Sequence, residues 1–536
     1  MLQLTTLHCV WPVALPKATA AVEGMVAIKE KVLKELTFGA RVAEEEASEL
    51  ASYFVETEQW NQVWQDEVDI VYGSKGSGKS AIYATITARE SQLFDRNILI
   101  SPAESPQGSP AFATLDANTI IDEDQFVGLW KLYFLAVIAD TFADYDLRSP
   151  AARSVVRTLT DAGMVPGRNV SLRQKLANAA DYVRRMFSEI EPSVSVAGVV
   201  DVSTRIRFTE PDNTQRSNGA VYVDDLLDTA GRALEGEGLK LWLLLDRLDV
   251  AFAGKPNLER QALRALFKVY LDIRSIDRIR LKIFLRSDIW KAITAGGFRE
   301  ASHIARELTL SWGRAALLQL VTQRMVRNKA LRDFYGVPYE DVASVAGQED
   351  LFQRVYPEQV ENGPNKPKTF DWCLTRTSDG TKRTAPRELI HLLTEARGVQ
   401  LRRQEVGEDE PAGEALFDGS SLKGALPAVS ETRLNKTLYA EHPDLKQYML
   451  ALEGHKTNHS IQSLAAIWEV PPDEAKAAAL RLVDIGFFER RAQMQFWVPF
   501  LYRPALNLVQ GSAEGINSSG DTPPALAGED SPADKD

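Results

Sequence analysis

Val68–Thr85 reads VDIVYGSKGSGKSAIYAT. The apolar run Val68–Tyr72 has the pattern of a buried strand, and the residues from about Lys79 to Phe94 carry a helical one. Between them stands Gly73-Ser74-Lys75-Gly76-Ser77-Gly78-Lys79-Ser80, a full G-x-x-x-x-G-K-S loop in its strand–loop–helix setting. Three glycines let the backbone curl so that successive N–H groups face phosphate oxygens. The helix that follows, Ala81 included, offers its positive N-terminal end to the same phosphates. Lys79 is expected to reach the β- and γ-phosphates and the Ser80 hydroxyl to ligate Mg²⁺. The stretch therefore predicts a nucleoside-triphosphate site, with ATP and Mg²⁺ as cofactors.

Composition bounds what else the chain can be. Its 536 residues suffice for two or three domains, and 44% hydrophobic with 25% charged residues is ordinary for a globular protein. A net charge of −12 gives no general attraction for nucleic acid. Cys9 and Cys373 alone exclude a disulfide scaffold and suit a reducing cytoplasm, and the histidines form no zinc-like cluster. No apolar run approaches the roughly 20 residues of a membrane span, and Leu2–Leu15 lacks the basic start of a signal peptide.

A second motif follows well downstream. Leu239–Leu245 is an apolar run closed by Asp246, the form of a Walker B strand whose carboxylate helps hold Mg²⁺ across from Ser80. Asp249 has two readings: a group that orients the attacking water, or a helix cap or ion-pair partner. The next strand, Ile279–Leu285, runs into Arg286 and Ser287, either γ-phosphate sensors or part of a surface ion pair. Trp312 reads as a core residue beside a helix at Ala315–Met325. Arg387 opens a helix with Pro386 in its first turn and is either a lid arginine reaching the γ-phosphate or an exposed helix residue.

The expected domains are lead-in helices over 1–58, packed against the nucleotide domain, and an ATPase core over 59–325 with an insertion at about 102–221. A β-hairpin is expected within Ser193–Thr209. A helical lid over 326–406 (loop-rich to 376), a linker over 407–437, a winged-helix-like domain over 438–506 and a disordered tail over 511–536 complete the chain. Three helices followed by the alternating FFERRAQMQFWVP give the winged-helix order. Its Val470–Arg491 stretch balances Asp473, Glu474, Asp484 and Glu489 against Lys476, Arg481, Arg490 and Arg491, so a regulatory or packing role is favoured over DNA binding.

FGARVAEEE, YGSKGSGKSAIY, LLLDRLD, IFLRSDIW, LTLSW and APRELIHLL together resemble a bacterial P-loop ATPase family named after a cyanobacterial open reading frame, akin to the STAND and KAP NTPases. The likeness runs from about residue 37 to 506. It implies an α/β, AAA+-like or STAND-like parallel sheet with a helical insertion, a helical lid and a C-terminal winged helix. Lys79 and Ser80 would be the Walker A pair, Asp246 the Walker B acid, Arg286 or Ser287 sensor-like and Arg387 a second-sensor arginine. Arg247 stands where AAA+ enzymes usually carry a catalytic Glu, which implies slow hydrolysis. Proteins of this style act in signalling or phage defence as oligomerising switches. The combined expectation is a cytoplasmic ATPase that assembles with ATP and controls a protein effector, with no membrane partner; an ATP-regulated, DNA-binding initiator is the alternative.

Overall fold

Five short strands make the central sheet: β1 (Ile70–Gly73), β2 (Ile98–Pro102), β5 (Lys240–Leu245), β6 (Ile279–Arg286) and β7 (Glu307–Thr309). All pair in parallel, in the order β2-β5-β6-β1-β7. A parallel sheet covered on both faces needs largely apolar strands, and β1, β2 and β5 are so; β6 adds the charged Arg280 and Lys282, and the edge strand β7 exposes Glu307 and Thr309. Strand periodicity then divides the residues between two cores. Leu241, Leu243 and Leu245 join Ile70, Tyr72, Leu281, Ile283 and Leu285 on one face. Trp242, Leu244, Val71 and Phe284 meet Trp60, Ile82, Tyr83 and Ile86 on the other. The strand β6 stands between β1 and β5, as an AAA+-like P-loop fold requires.

The computed structural model describes residues 28–40, 46, 50, 53–103, 122–164, 171–188, 206–217, 219–248, 256–408 and 410–513. The chain divides into two compact units: Ala40–Gly313 with Ala385–Arg387, and Met1–Gly39 with Arg314–Thr384 and Glu388–Asp536.

In the first unit, part of the expected insertion is core. Glu123–Asp144 is a helix buried around most of its circumference, with Phe126, Trp130, Tyr133, Phe134 and Ile138 all enclosed. Contrary to the expectation that no apolar run is long enough, this helix could cross a membrane by length and composition, but 83% of its apolar window is buried inside the protein. Trp130 Nε1 donates to Ala262 O (2.8 Å) on the helix Pro256–Arg274, and Lys131 pairs with Asp224 and Asp272. The strands β3 (Ile206–Arg207) and β4 (Val221–Tyr222) pair in parallel with each other. Most of the hairpin expected within Ser193–Thr209 lies outside the described residues.

The second unit corrects several expectations. The segment 326–376 is helical over Lys329–Tyr335, Val345–Val355 and Thr369–Thr377, rather than loop-rich. The expected linker over 407–437 contains the helix Gly419–Arg433. Its apparent turn residues are a cap: the Asp418 carboxylate accepts from Ser421 N at 2.8 Å, and Leu422, Ala425 and Val429 then line a buried face. The tail begins later than Gly511, because β11 (Val509–Ala513) pairs in parallel with β8 (Lys456–His459); residues 514–536 lie outside the described ones.

The lead-in segment divides: residues 28–39 pack in this second unit, while Phe54 packs on the Trp60 core of the nucleotide unit. A helix over 28–35 leaves carbonyls without helical partners at its end. Arg397 donates to the carbonyls of Leu33 and Lys34, Arg324 to that of Phe38, and Asn328 Nδ2 to Thr37 O (3.0 Å).

The winged-helix order is present: Lys446–Leu450, β8, Ile461–Trp468, Pro472–Asp484, then the wing strands β9 (Glu489–Arg491) and β10 (Gln495–Trp497). Ser460 and Ser463 close a reciprocal capping box, and Gly486 takes the left-handed position after Asp484.

Candidate functional site

The carboxyl end of β1 delivers the chain into Gly73–Gly78, and the helix Lys79–Ala88 starts at once. Gly76 (φ +81°) and Gly78 (φ +98°) hold left-handed backbone that lets the loop close. Ser77 N donates to Ser74 O (3.2 Å), and the Lys79 ammonium donates to the carbonyls of Gly73 (2.9 Å) and Ser74 (3.0 Å). Lys79 is thereby fixed across the loop, with Ser80 and Ala81 next in the first helical turn. Lys75 is half-buried on the loop itself.

Parallel pairing puts the other candidates at the same edge of the sheet. Asp246 is buried (6% exposed) where β5 ends, and Arg247 adopts φ +58°, so the chain turns sharply off the strand there. Asp249 lies outside the described residues. Arg286 is the last residue of β6 and pairs in register with Gly73, the first residue of the loop. Its guanidinium grips Asp288 through two hydrogen bonds, Nε to Oδ1 (3.0 Å) and Nη2 to Oδ2 (2.6 Å), and Ser287 begins the following helix. The ion pair, the alternative reading of Arg286, is thus present at the tip of the strand.

Ala385–Arg387 is counted with the nucleotide unit, and Arg387 lies along the loop: a Cβ built on Gly76 would stand 2.8 Å from Arg387 Cβ and 3.4 Å from its Nε. The exposed-helix reading of Arg387 is corrected by that contact.

Trp312 is not a core residue. It is half-buried, and its Nε1–H donates to Ser77 O at 2.8 Å. Sequence reasoning missed it, because a tryptophan beside an amphipathic helix looks like packing. The only signal was its place in LTLSW, directly after what proves to be β7.

The Ser80 hydroxyl and the buried Asp246 carboxylate are hard-oxygen donors of the kind that suits Mg²⁺ and would be the residues to hold it. When bound, the ion would neutralise charge on the phosphate oxygens. Lys79, Arg286 and Arg387 supply positive charge from the protein itself.

The opposite, amino edge of the sheet holds a separate charge network. Lys282, buried under Trp242, donates to Asp66 (2.7 Å), Asp69 (3.1 Å) and Val68 O (2.6 Å). Lys240 completes the Asp66 site at 2.7 Å, and Arg306 and Tyr270 complete that of Asp69 at 2.8 and 3.2 Å. Burial pushes the Lys282 ammonium below its ordinary value against the pull of both aspartates. Burial alone would raise the Asp66 carboxyl, but the Lys282 charge and the Lys240 hydrogen bond hold it below the usual carboxylate range. This network braces the strand ends away from the loop.

Strand order, loop and Walker B carboxylate together define an α/β P-loop NTPase fold with a nucleotide-binding loop. No protein-family model matches the chain, and no curated protein does. Among solved structures it is similar to the ORC2 protein of Aeropyrum pernix: to its ADPNP-ADP complexes at 14% identity and TM-score 0.29, over 88% of this chain and 96% of that one. Its similarity to the ADP form is 13% identity and TM-score 0.32, over 84% and 91%. At those values the likeness carries no weight, and the fold rests on the topology and the loop.

Proposed function

We propose that the protein is an ATPase whose nucleotide state switches its conformation or assembly, and so the activity of a protein partner. The observation that carries this reading is the meeting, at one sheet edge, of the closed glycine loop with Lys79, the buried Asp246 and two arginines. Phosphoryl transfer to water needs little beyond positioning and charge stabilisation. Lys79, Arg286 and Arg387 would neutralise the phosphates, Ser80 and Asp246 would hold Mg²⁺, and Asp249 is the candidate to orient water. Arg247 in place of a glutamate argues for slow turnover. A transition-state arginine from a neighbouring subunit would explain why ATP should favour a homo-oligomer. A cytoplasmic role in phage defence rests on the family resemblance alone.

The second reading, an ATP-regulated DNA-binding protein, draws on the winged helix, whose strand β9 exposes Arg490 and Arg491. Two of the basic side chains there are already engaged: Arg481 with Asp444, and Arg491 with Glu489 (3.3 Å) and the Trp497 ring. The balance of charge keeps this reading second.

One assay tests both. Release of labelled phosphate from ATP is followed for the wild type and Lys79→Ala, with and without duplex DNA. The ATPase reading expects slow release, cut about 100-fold or more by the substitution and indifferent to DNA. Release that depends on DNA and fades with salt would move the second reading ahead, and equal release from both proteins would remove the loop from the chemistry.

A further inference from the structure

The peptide between Ser77 and Gly78 carries the loop into its helix. A trans peptide is planar, so its C=O and N–H point in opposite directions and fixing one fixes the other. For the Gly78 N–H to face a phosphate, the Ser77 carbonyl must face away and must find a donor there. That donor is the Trp312 indole N–H, at 2.8 Å.

The indole is itself firmly placed. It follows β7, which pairs with β1, and Leu310 N extends that ladder to Tyr72 O at 2.7 Å. The Gln59 side chain brackets the same segment, donating to Thr309 O (3.0 Å) and Ser311 Oγ (3.2 Å) and accepting from Ser311 N (3.2 Å). The ring reaches the helix N-cap, where its Cζ2 would stand 3.6 Å from a Cβ on Gly78.

We propose that Trp312 is a positioning residue for phosphate binding: by capturing the Ser77 carbonyl it keeps the Gly78 N–H turned into the anion-binding face of the loop. The proposal rests on the reading of the loop as a nucleotide site. The Trp312 bond crosses from one end of the nucleotide unit's chain to the loop near its other end. It therefore preorganises the loop from outside the motif and lowers the cost of ordering it on binding.

The test is calorimetric titration of the full chain with ADP and with ATPγS, each with Mg²⁺, for wild type, Trp312→Phe and Lys79→Ala. Amide hydrogen exchange over residues 73–85 is measured in the same proteins without nucleotide. Phenylalanine keeps a ring in the same place and removes only the donor. We expect Trp312→Phe to bind both nucleotides about five- to tenfold more weakly, the worth of one well-placed hydrogen bond. Exchange should quicken in the loop and the first helical turn while the melting temperature stays close to that of the wild type. Wild-type affinity in Trp312→Phe, or weaker binding with unchanged loop exchange, overturns the positioning role alone. A wild type that binds neither nucleotide overturns the site reading, and this proposal with it.

Discussion

At the scale of single residues, the loop was the most legible part of the sequence, because its chemistry requires a contiguous pattern. Glycines, lysine and hydroxyl must follow one another within a single turn of chain, so Gly73–Ser80 could be read without a fold. Asp246 was legible as the polar end of an apolar run. Trp312 was not: its partner is a backbone carbonyl 235 positions away, and carbonyls leave no mark in a sequence. Gly76 offers a sharp test at this scale. A methyl group there would face two penalties, a left-handed backbone costing roughly 1–2 kcal/mol and a position 2.8 Å from Arg387 Cβ. Gly163 shares the backbone conformation (φ +80°) but has open space around it. Both Gly→Ala variants should lose some stability in thermal melts. Only Gly76→Ala should also bind nucleotide about tenfold or more weakly; equal affinities would mean that Arg387 does not attend the loop.

At the scale of elements, the apolar strands β1, β5 and β6 and their helices were expected close to where they lie. The short helices of the second unit were missed. Gly419–Arg433 opens with DGSS, and only its buried face distinguishes a capped helix from a turn. The strand β7 was missed because three residues carry too little periodicity to announce it.

The braced amino edge of the sheet yields a prediction with a definite sign. Asp66 has its carboxyl held low in the folded protein, so its contribution to stability is complete above the unfolded value of about 3.9. It is lost as pH falls through the lower folded value. Urea unfolding of the wild type should weaken on acidification below about pH 4. Asp66→Asn should be less stable near neutrality by about 1–3 kcal/mol, and its curve should fall less steeply in acid. Parallel curves for the two proteins would show that the Lys282–Asp66 pairing does not set this dependence.

At the scale of the whole molecule, the chain gives two units whose boundaries do not follow its order. The N-terminal segment to Gly39 belongs with the lid and winged helix, while Ala385–Arg387 belongs with the nucleotide unit. Such exchange is invisible to a reading that proceeds from one end, because the bonds that decide it join Thr37 to Asn328 and Leu33 to Arg397. Within the nucleotide unit, Trp312 touches Ser77 and Arg387 lies against Gly76.

The central claim is that ATP drives a change of state, and mass in solution reports on it most directly. Light scattering of the wild type with ATPγS, with ADP and without nucleotide, beside ATP turnover on the same sample, is the decisive measurement. The account predicts slow turnover and a mass with ATPγS that is a multiple of the monomer's, falling back with ADP. Nucleotide that binds yet leaves mass unchanged in all three states, with no turnover, would contradict the switch and leave only a structural nucleotide site.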